Sequence, residues 1–238
     1  MISFIVPAHN EERLLGGTLQ AIHAVVQALG EPCEVIVVDD GSTDRTAAIG
    51  REHGAQVVPV AHRQIAATRN AGARAAQGDV FIFVDADTLV HETLVRLALQ
   101  ALRDGAVGGG TVVRFDGAMP LHARVMVPLV VKLLQVGRLA AGCFLFCTRT
   151  AFEAVGGFDE SYFAAEELGL SQALKRQGKF VILCEPVLTS GRKLRTHSAR
   201  EMWALFGHLV RGGRGAVKQR QGLDLWYAPR REDPHQDR

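Results

Sequence analysis

The chain has 238 residues, 47% of them hydrophobic and 22% charged, with a formal net charge of +2. This balance suits one large α/β domain or two small ones and excludes a disordered or fibrous protein. Four cysteines (Cys33, Cys143, Cys147 and Cys184) form no Cys-x-x-Cys pair and are too few for a disulfide scaffold, so a cytoplasmic location is expected.

The amino-terminal residues lack a basic region and a cleavage site, so they read as a strand rather than a signal peptide. Residues 2–6, 35–38, 56–60 and 80–84 are β-branched or aromatic runs of the kind buried on both faces of a parallel sheet. Between them, residues 13–29 place Leu15, Leu19, Ile22, Val25, Val26 and Leu29 on one helical stripe. Thr43 is expected to cap the next helix and Gly54 to end it. An Ala-rich helix is expected over 65–77. Strands alternating with helices predict an α/β fold with a doubly wound, mostly parallel mixed sheet and helices on both faces.

After Leu89 the rhythm changes. Helices are expected over 91–102, 119–136, 164–177 and 199–211, and strands over 111–115, 143–148 and 179–183. Gly105 to Gly110 read as a connection. The apolar stretch 125–146 is broken by Pro128, Lys132, Gln135 and Arg138, so no spanning helix is predicted. Residues 190–238 hold 11 Lys and Arg against 5 Asp and Glu, while the remainder holds 16 against 20, so basicity is a carboxy-terminal feature. Residues 226–238 read as a disordered tail.

Ligands of an open parallel sheet bind beyond the carboxyl ends of its strands. The first strand ends in Pro7-Ala8-His9-Asn10-Glu11, the second in Asp39-Asp40-Gly41-Ser42, and the fourth in Asp85-Ala86-Asp87. Five carboxylates on one edge repel unless a cation or hydrogen-bond donors compensate them. A single Asp is often a turn residue, but doublets at two strand ends exceed what turns require. The Asp-x-Asp spacing suits Mg²⁺ or Mn²⁺, which complete their coordination with water and a substrate diphosphate.

Taken in order, Val6-Pro7-Ala8-His9-Asn10-Glu11, Val37-Val38-Asp39-Asp40-Gly41-Ser42-Thr43-Asp44, Ala67-Thr68-Arg69-Asn70-Ala71-Gly72, Phe83-Val84-Asp85-Ala86-Asp87, Gly156-Gly157-Phe158-Asp159-Glu160 and Glu166-Glu167 resemble family 2 glycosyltransferases of the GT-A fold. The resemblance covers residues 1–197. It implies a single GT-A domain over 1–225, with a nucleotide-sugar half (1–115) and an acceptor half (116–225). It also implies that Pro7, Ala8 and Glu11 line a nucleoside pocket, that Asp40 bonds the base edge with Asp39 beside it, and that Arg69 lies near the nucleotide. Asp85 would meet ribose or donor sugar. Asp87 would be the metal ligand, with His197 as a second one or as an ordinary surface histidine.

The implied reaction is an inverting transfer from a nucleotide-diphosphate sugar, a UDP-sugar ahead of a GDP-sugar, to a lipid or small-molecule hydroxyl. The family's usual Glu-Asp doublet here reads Glu166-Glu167, so either carboxylate could be the general base. The alternatives are a sugar-phosphate nucleotidyltransferase and an inactive nucleotide-sugar-binding protein. Arg192, Lys193 and Arg195 are placed either to meet the diphosphate or to stay solvated. The basic, apolar-faced helix 199–211 could rest on the inner face of a membrane or pack on the domain. Nucleic acid is not an expected partner, since no reader motif appears.

Overall fold

The run Ile2–Ala8 is buried at every position, as a strand covered by helices on both faces must be. It forms β1 in the computed structural model, which describes residues 1–140, 142–227, 231 and 233. The chain continues through α1 (Leu15–Leu29), β2 (Cys33–Asp40), α2 (Thr46–Glu52), β3 (Gln56–Val60), α3 (Ile65–Ala75), β4 (Val80–Val84), β5 (Thr88–Leu89) and α4 (Glu92–Arg103). The second half comprises β6 (Ala106–Phe115), α5 (Leu121–Val136), β7 (Phe144–Thr148), α6 (Arg149–Ala154), α7 (Glu166–Gln177), β8 (Lys179–Thr189), α8 (Arg192–Thr196), α9 (Ala199–Ala216) and α10 (Asp224–Tyr227).

The strands form one eight-stranded mixed sheet in the order β3-β2-β1-β4-β7-β6-β8-β5. The first four neighbours are parallel. β7 runs antiparallel between β4 and β6, joining the halves, and β6 pairs parallel with β8. Alternate residues of each central strand enter opposite layers, as the two-residue period of a strand requires. Phe4, Ile82, Val84 and Phe146 pack with Leu15, Leu19 and Ile22 of α1 and Leu94 of α4. Ile5, Phe81, Phe83 and Leu145 pack with Ala66 of α3, Phe152 of α6, and Leu170 and Leu174 of α7.

Several expectations are corrected. Thr43 does not cap α2: the backbone N–H of Thr46 donates to Asp44 Oδ1 at 2.9 Å, while the Thr43 N–H donates to Asn10 Oδ1 at 2.8 Å. Gly54 does turn the chain after α2, with φ of 71°. Gly108 to Gly110 lie within β6 rather than in a connection, because a side chain there has no room: a Cβ on Gly110 would sit 2.5 Å from that of Ala140. Glycine in that strand answers close approach of neighbours. β8 continues through Pro186 to Thr189, with irregular pairing to β6 beyond Thr111. Arg192, Lys193 and Arg195 lie in α8.

Within the stretch expected to be a tail, Tyr227 closes α10 and Asp233 is buried against Arg195 at 2.6 Å; residues 228–230, 232 and 234–238 lie outside the described residues. The side chains of Trp203, Phe206, Leu209 and Val210, on which the expected apolar face of α9 depends, also lie outside them. Among the described residues no helix is long and apolar enough to cross a membrane.

Candidate active site

A cavity of about 510 Å³ opens beyond the carboxyl ends of β1, β2 and β4. Pro7, Ala8, Glu11, Asp40, Arg69, Asp85, Asp87, Glu166 and Glu167 all line it, drawn from five segments distant in sequence. Two expected site residues are not among the lining. Asp39 accepts from the backbone N–H of Ser42 at 3.2 Å and so anchors the turn after β2. His197 engages its own helix, Nδ1 donating to the Lys193 carbonyl at 2.9 Å.

The loops after β1 and β2 are stitched together. Asn10 adopts a left-handed conformation (φ 51°), which Asn tolerates better than most residues. Its N–H donates to Ser42 Oγ at 3.0 Å, and the Glu11 N–H donates to Thr46 Oγ1 at 2.8 Å. The Glu11 carboxylate receives Arg192 Nη2 at 3.0 and 3.1 Å, with both side chains buried. A residue from α8 thus neutralises the acid expected in the nucleoside pocket. Asp40 accepts the N–H groups of Arg63 (2.7 Å) and Gln64 (3.1 Å) and the hydroxyl of Thr68 (2.8 Å). These donors lie at the amino-terminal end of α3, where exposed N–H groups and the helix dipole favour a carboxylate.

Arg69 is the buried strut of the site. Its Nη2 donates to Asp85 Oδ1 at 2.7 Å and to the Gly142 carbonyl at 2.8 Å, and its Nη1 pairs with Glu166. The guanidinium carbon lies 5.4 Å from the Phe158 ring centroid. Burial opposes its charge, but Asp85, Glu166 and Glu167 together hold it firmly protonated.

The two glutamates at the start of α7 differ. Glu166 is buried and bound to Arg69. Glu167 reaches the cavity and makes no side-chain ion pair among the described residues. Burial raises its pKa, the Glu166 charge raises it further, and Arg69 partly offsets both. A carboxyl so placed takes up a proton more readily than an exposed one, which is the property of a general base.

Asp87 is raised to about 6, chiefly by burial and then by Glu11 and Asp85, with Lys193 and Arg192 opposing. Thr189 Oγ1 donates to it at 3.2 Å. Among the described residues no three His, Cys, Asp or Glu side chains converge to hold a metal by themselves. Asp87 and Asp85 both line the cavity and could hold an ion such as Mg²⁺ or Mn²⁺, which draws most of its ligands from water and phosphate. Glu11 and Asp85 disfavour the charged form of Asp87, and a cation bound there would favour it.

Sequence reading did not single out Tyr227, which lines the cavity and donates its hydroxyl to the Phe163 carbonyl at 2.7 Å; no periodicity marks it. Of the three basic residues after β8, Lys193 lines the cavity, Arg192 meets Glu11, and Arg195 turns away to Asp116 and Asp233.

The model described as Glycosyl transferase family 2 matches residues 3–146. The chain belongs to that family. This family member is 46% identical over 59 residues to 4,4'-diaponeurosporenoate glycosyltransferase of Staphylococcus aureus, a match spanning 25% of this chain and 15% of that relative. Its fold resembles that of the mannosyltransferase PcManGT of Pyrobaculum calidifontis, in complex with GDP-Man and Mn²⁺, with a TM-score of 0.68, 20% identity and coverage of 95% of this chain and 68% of that one. It also resembles S. aureus TarS with UDP-GlcNAc (TM-score 0.63, 18% identity, 80% and 58% coverage). A third similar structure is glucosyl-3-phosphoglycerate synthase of Mycobacterium tuberculosis with Mn²⁺, UDP and glucosyl-3-phosphoglycerate (0.63, 21%, 91% and 80%). At these identities the likeness is one of fold, and it is the GT-A fold. Family membership sets aside the nucleotidyltransferase reading.

Proposed function

We propose that this glycosyltransferase moves a sugar from a nucleoside diphosphate sugar to a hydroxyl acceptor with inversion, using Glu167 as general base. The observation that carries this reading is the division of labour at α7. Arg69 engages Glu166 and leaves Glu167, whose proton affinity is raised, facing the cavity. A hydroxyl is a poor nucleophile until a base takes its proton, and attack from the side opposite the leaving diphosphate inverts the anomeric carbon. Pro7, Ala8 and Asp40 form the wall for the nucleoside, and Asp85 is oriented by Arg69 toward the sugar side.

Asp87, with Asp85, would hold Mg²⁺ or Mn²⁺, which when bound stabilises negative charge on the leaving diphosphate. Lys193 supplies a second positive charge at the cavity wall. The similar structures carry GDP-Man, UDP-GlcNAc or UDP; a UDP-sugar is the donor proposed for this chain, and a lipid or small-molecule hydroxyl the acceptor.

Thermal-shift measurements with UDP and GDP, with and without Mn²⁺, test the donor site on wild type and Asp87→Ala. Metal-dependent stabilisation by UDP, lost in the variant, is expected. No nucleotide response in wild type, or an equal response in the variant, overturns the assignment. Retention of sugar transfer by Glu167→Gln would remove that residue as the base.

A further inference from the structure

Most of the large hydrophobic side chains left in water belong to one helix. Of nine exposed large hydrophobic residues among those described, six lie on α5: Leu121 (76% exposed), Val125 (73%), Leu129 (63%), Val130, Leu133 (63%) and Val136 (72%). Positions 121, 125, 129, 133 and 136 recur at helical spacing and share one face. Ala123 is the one fully buried residue of α5. A contiguous apolar face of this kind marks an interaction surface.

The charges around it indicate what covers it. From residue 117 to residue 152 the chain contains no Asp or Glu, while Arg124, Lys132 and Arg138 are exposed on or beside the helix. Two copies laid face to face would bring Arg124 and Lys132 of each chain against like charge. An anionic bilayer surface suits the same pattern. The acyl boundary accepts the Leu and Val side chains, and the long basic side chains reach the headgroups. With 16 residues and Pro128 inside it, α5 would lie in the plane of the interface.

The helix also feeds the cavity. The connection from α5 to β7 delivers Gly142 and Cys143 into the cavity wall, and the N–H of Ala140 in that connection donates to Ser171 Oγ of α7 at 3.1 Å. We propose that α5 docks the protein on anionic lipid, so that the acceptor hydroxyl arrives from the bilayer. The docking stands independently of the catalytic reading; the origin of the acceptor rests on it.

Flotation of the full chain with vesicles of equal parts phosphatidylcholine and phosphatidylglycerol, against pure phosphatidylcholine, tests the docking. Wild type should float with the anionic vesicles and much less with the neutral ones. Leu129→Glu with Leu133→Glu should lower partition more than about tenfold, and Arg124→Gln with Lys132→Gln roughly fivefold per residue. Both variants alter exposed side chains and should keep the UDP and Mn²⁺ thermal shift of wild type, which shows that they fold. Failure of wild type to float, equal flotation of the variants, or a wild-type dimer dispersed by Leu129→Glu would each overturn the proposal. Flotation without any nucleotide shift would leave the docking in place and remove the donor reading instead.

Discussion

The Arg69 guanidinium and the Glu166 carboxylate form an ion pair in which neither side chain keeps more than 4% of its surface exposed. The same guanidinium holds Asp85 at 2.7 Å, so a single cation from α3 ties the acid that follows β4 to the acid that opens α7. Removing one partner of a buried pair leaves the other charge uncompensated, at a cost of about 3–5 kcal/mol. Arg69→Met is therefore expected to lower the unfolding free energy, read from urea titration, by an amount in that range. Adding Glu166→Gln to the same chain should recover part of the loss, because the stranded charge is then gone.

The two glutamates of α7 should separate cleanly in mutagenesis. Glu167→Gln is expected to lower kcat by about 10² to 10⁴ while leaving nucleotide binding and the melting temperature near wild type. Glu166→Gln should act first on stability. Because burial and Glu166 raise the Glu167 pKa, the acid limb of kcat/KM should lie above the ordinary glutamate range. A steady-state pH series on wild type and Glu167→Asp checks the limb, and similar losses of stability in both Gln variants would contradict the division of roles.

Stability without ligand should carry the signature of Asp87. Its folded pKa is raised from 3.8 to about 6, so the folded chain binds this proton more tightly than the unfolded chain. The associated stabilisation is complete below about pH 4 and is lost as pH rises through about 6. Asp87→Asn removes the charged form. It should match wild type at about pH 4 and exceed it above pH 6 by up to about 3 kcal/mol. With Mn²⁺ and UDP present the order should reverse, since the variant then forfeits ligand stabilisation. Urea unfolding across this pH range, with and without the pair of ligands, provides the measurement.

Gly72 of α3 packs directly on the sheet, where an added Cβ would lie 2.8 Å from Val38 Cγ2 and closer still to Ile5 Cγ2. Gly72→Ala should cost about 1–3 kcal/mol through overpacking. Because α3 carries Thr68 and Arg69, the variant should also weaken nucleotide binding, which calorimetry would detect.

The amino-terminal half was legible because its polar residues follow directly on its strands. Short apolar runs marked β1, β2 and β4, and the residues after them reached the cavity as expected. Asp39 was the exception, since a doublet at a strand end gives no sign of which carboxylate faces the turn. The carboxy-terminal half was harder to read. The glycines of β6 resemble a flexible connection unless the crowding from Ala140 is known, and β8 passes through Pro186 by way of irregular pairing. The pairing of Glu11 with Arg192 spans 181 residues, and no local pattern encodes a contact of that range. The doublet Glu166-Glu167 showed two acids, but only the path of Arg69 across the sheet distinguishes them.

The family signature over residues 3–146 stops inside β7, and β8, the parallel partner of β6, lies wholly beyond it. A protein cut at that boundary would carry a truncated β7 and expose the flank of β6 as an open edge inviting another chain. The recognisable segment thus leaves the sheet without the parallel partner of β6. Exchanging the carboxy-terminal half between members of this fold would require the β6–β8 seam to be matched along with the cavity wall, so the closure of the sheet constrains any such exchange.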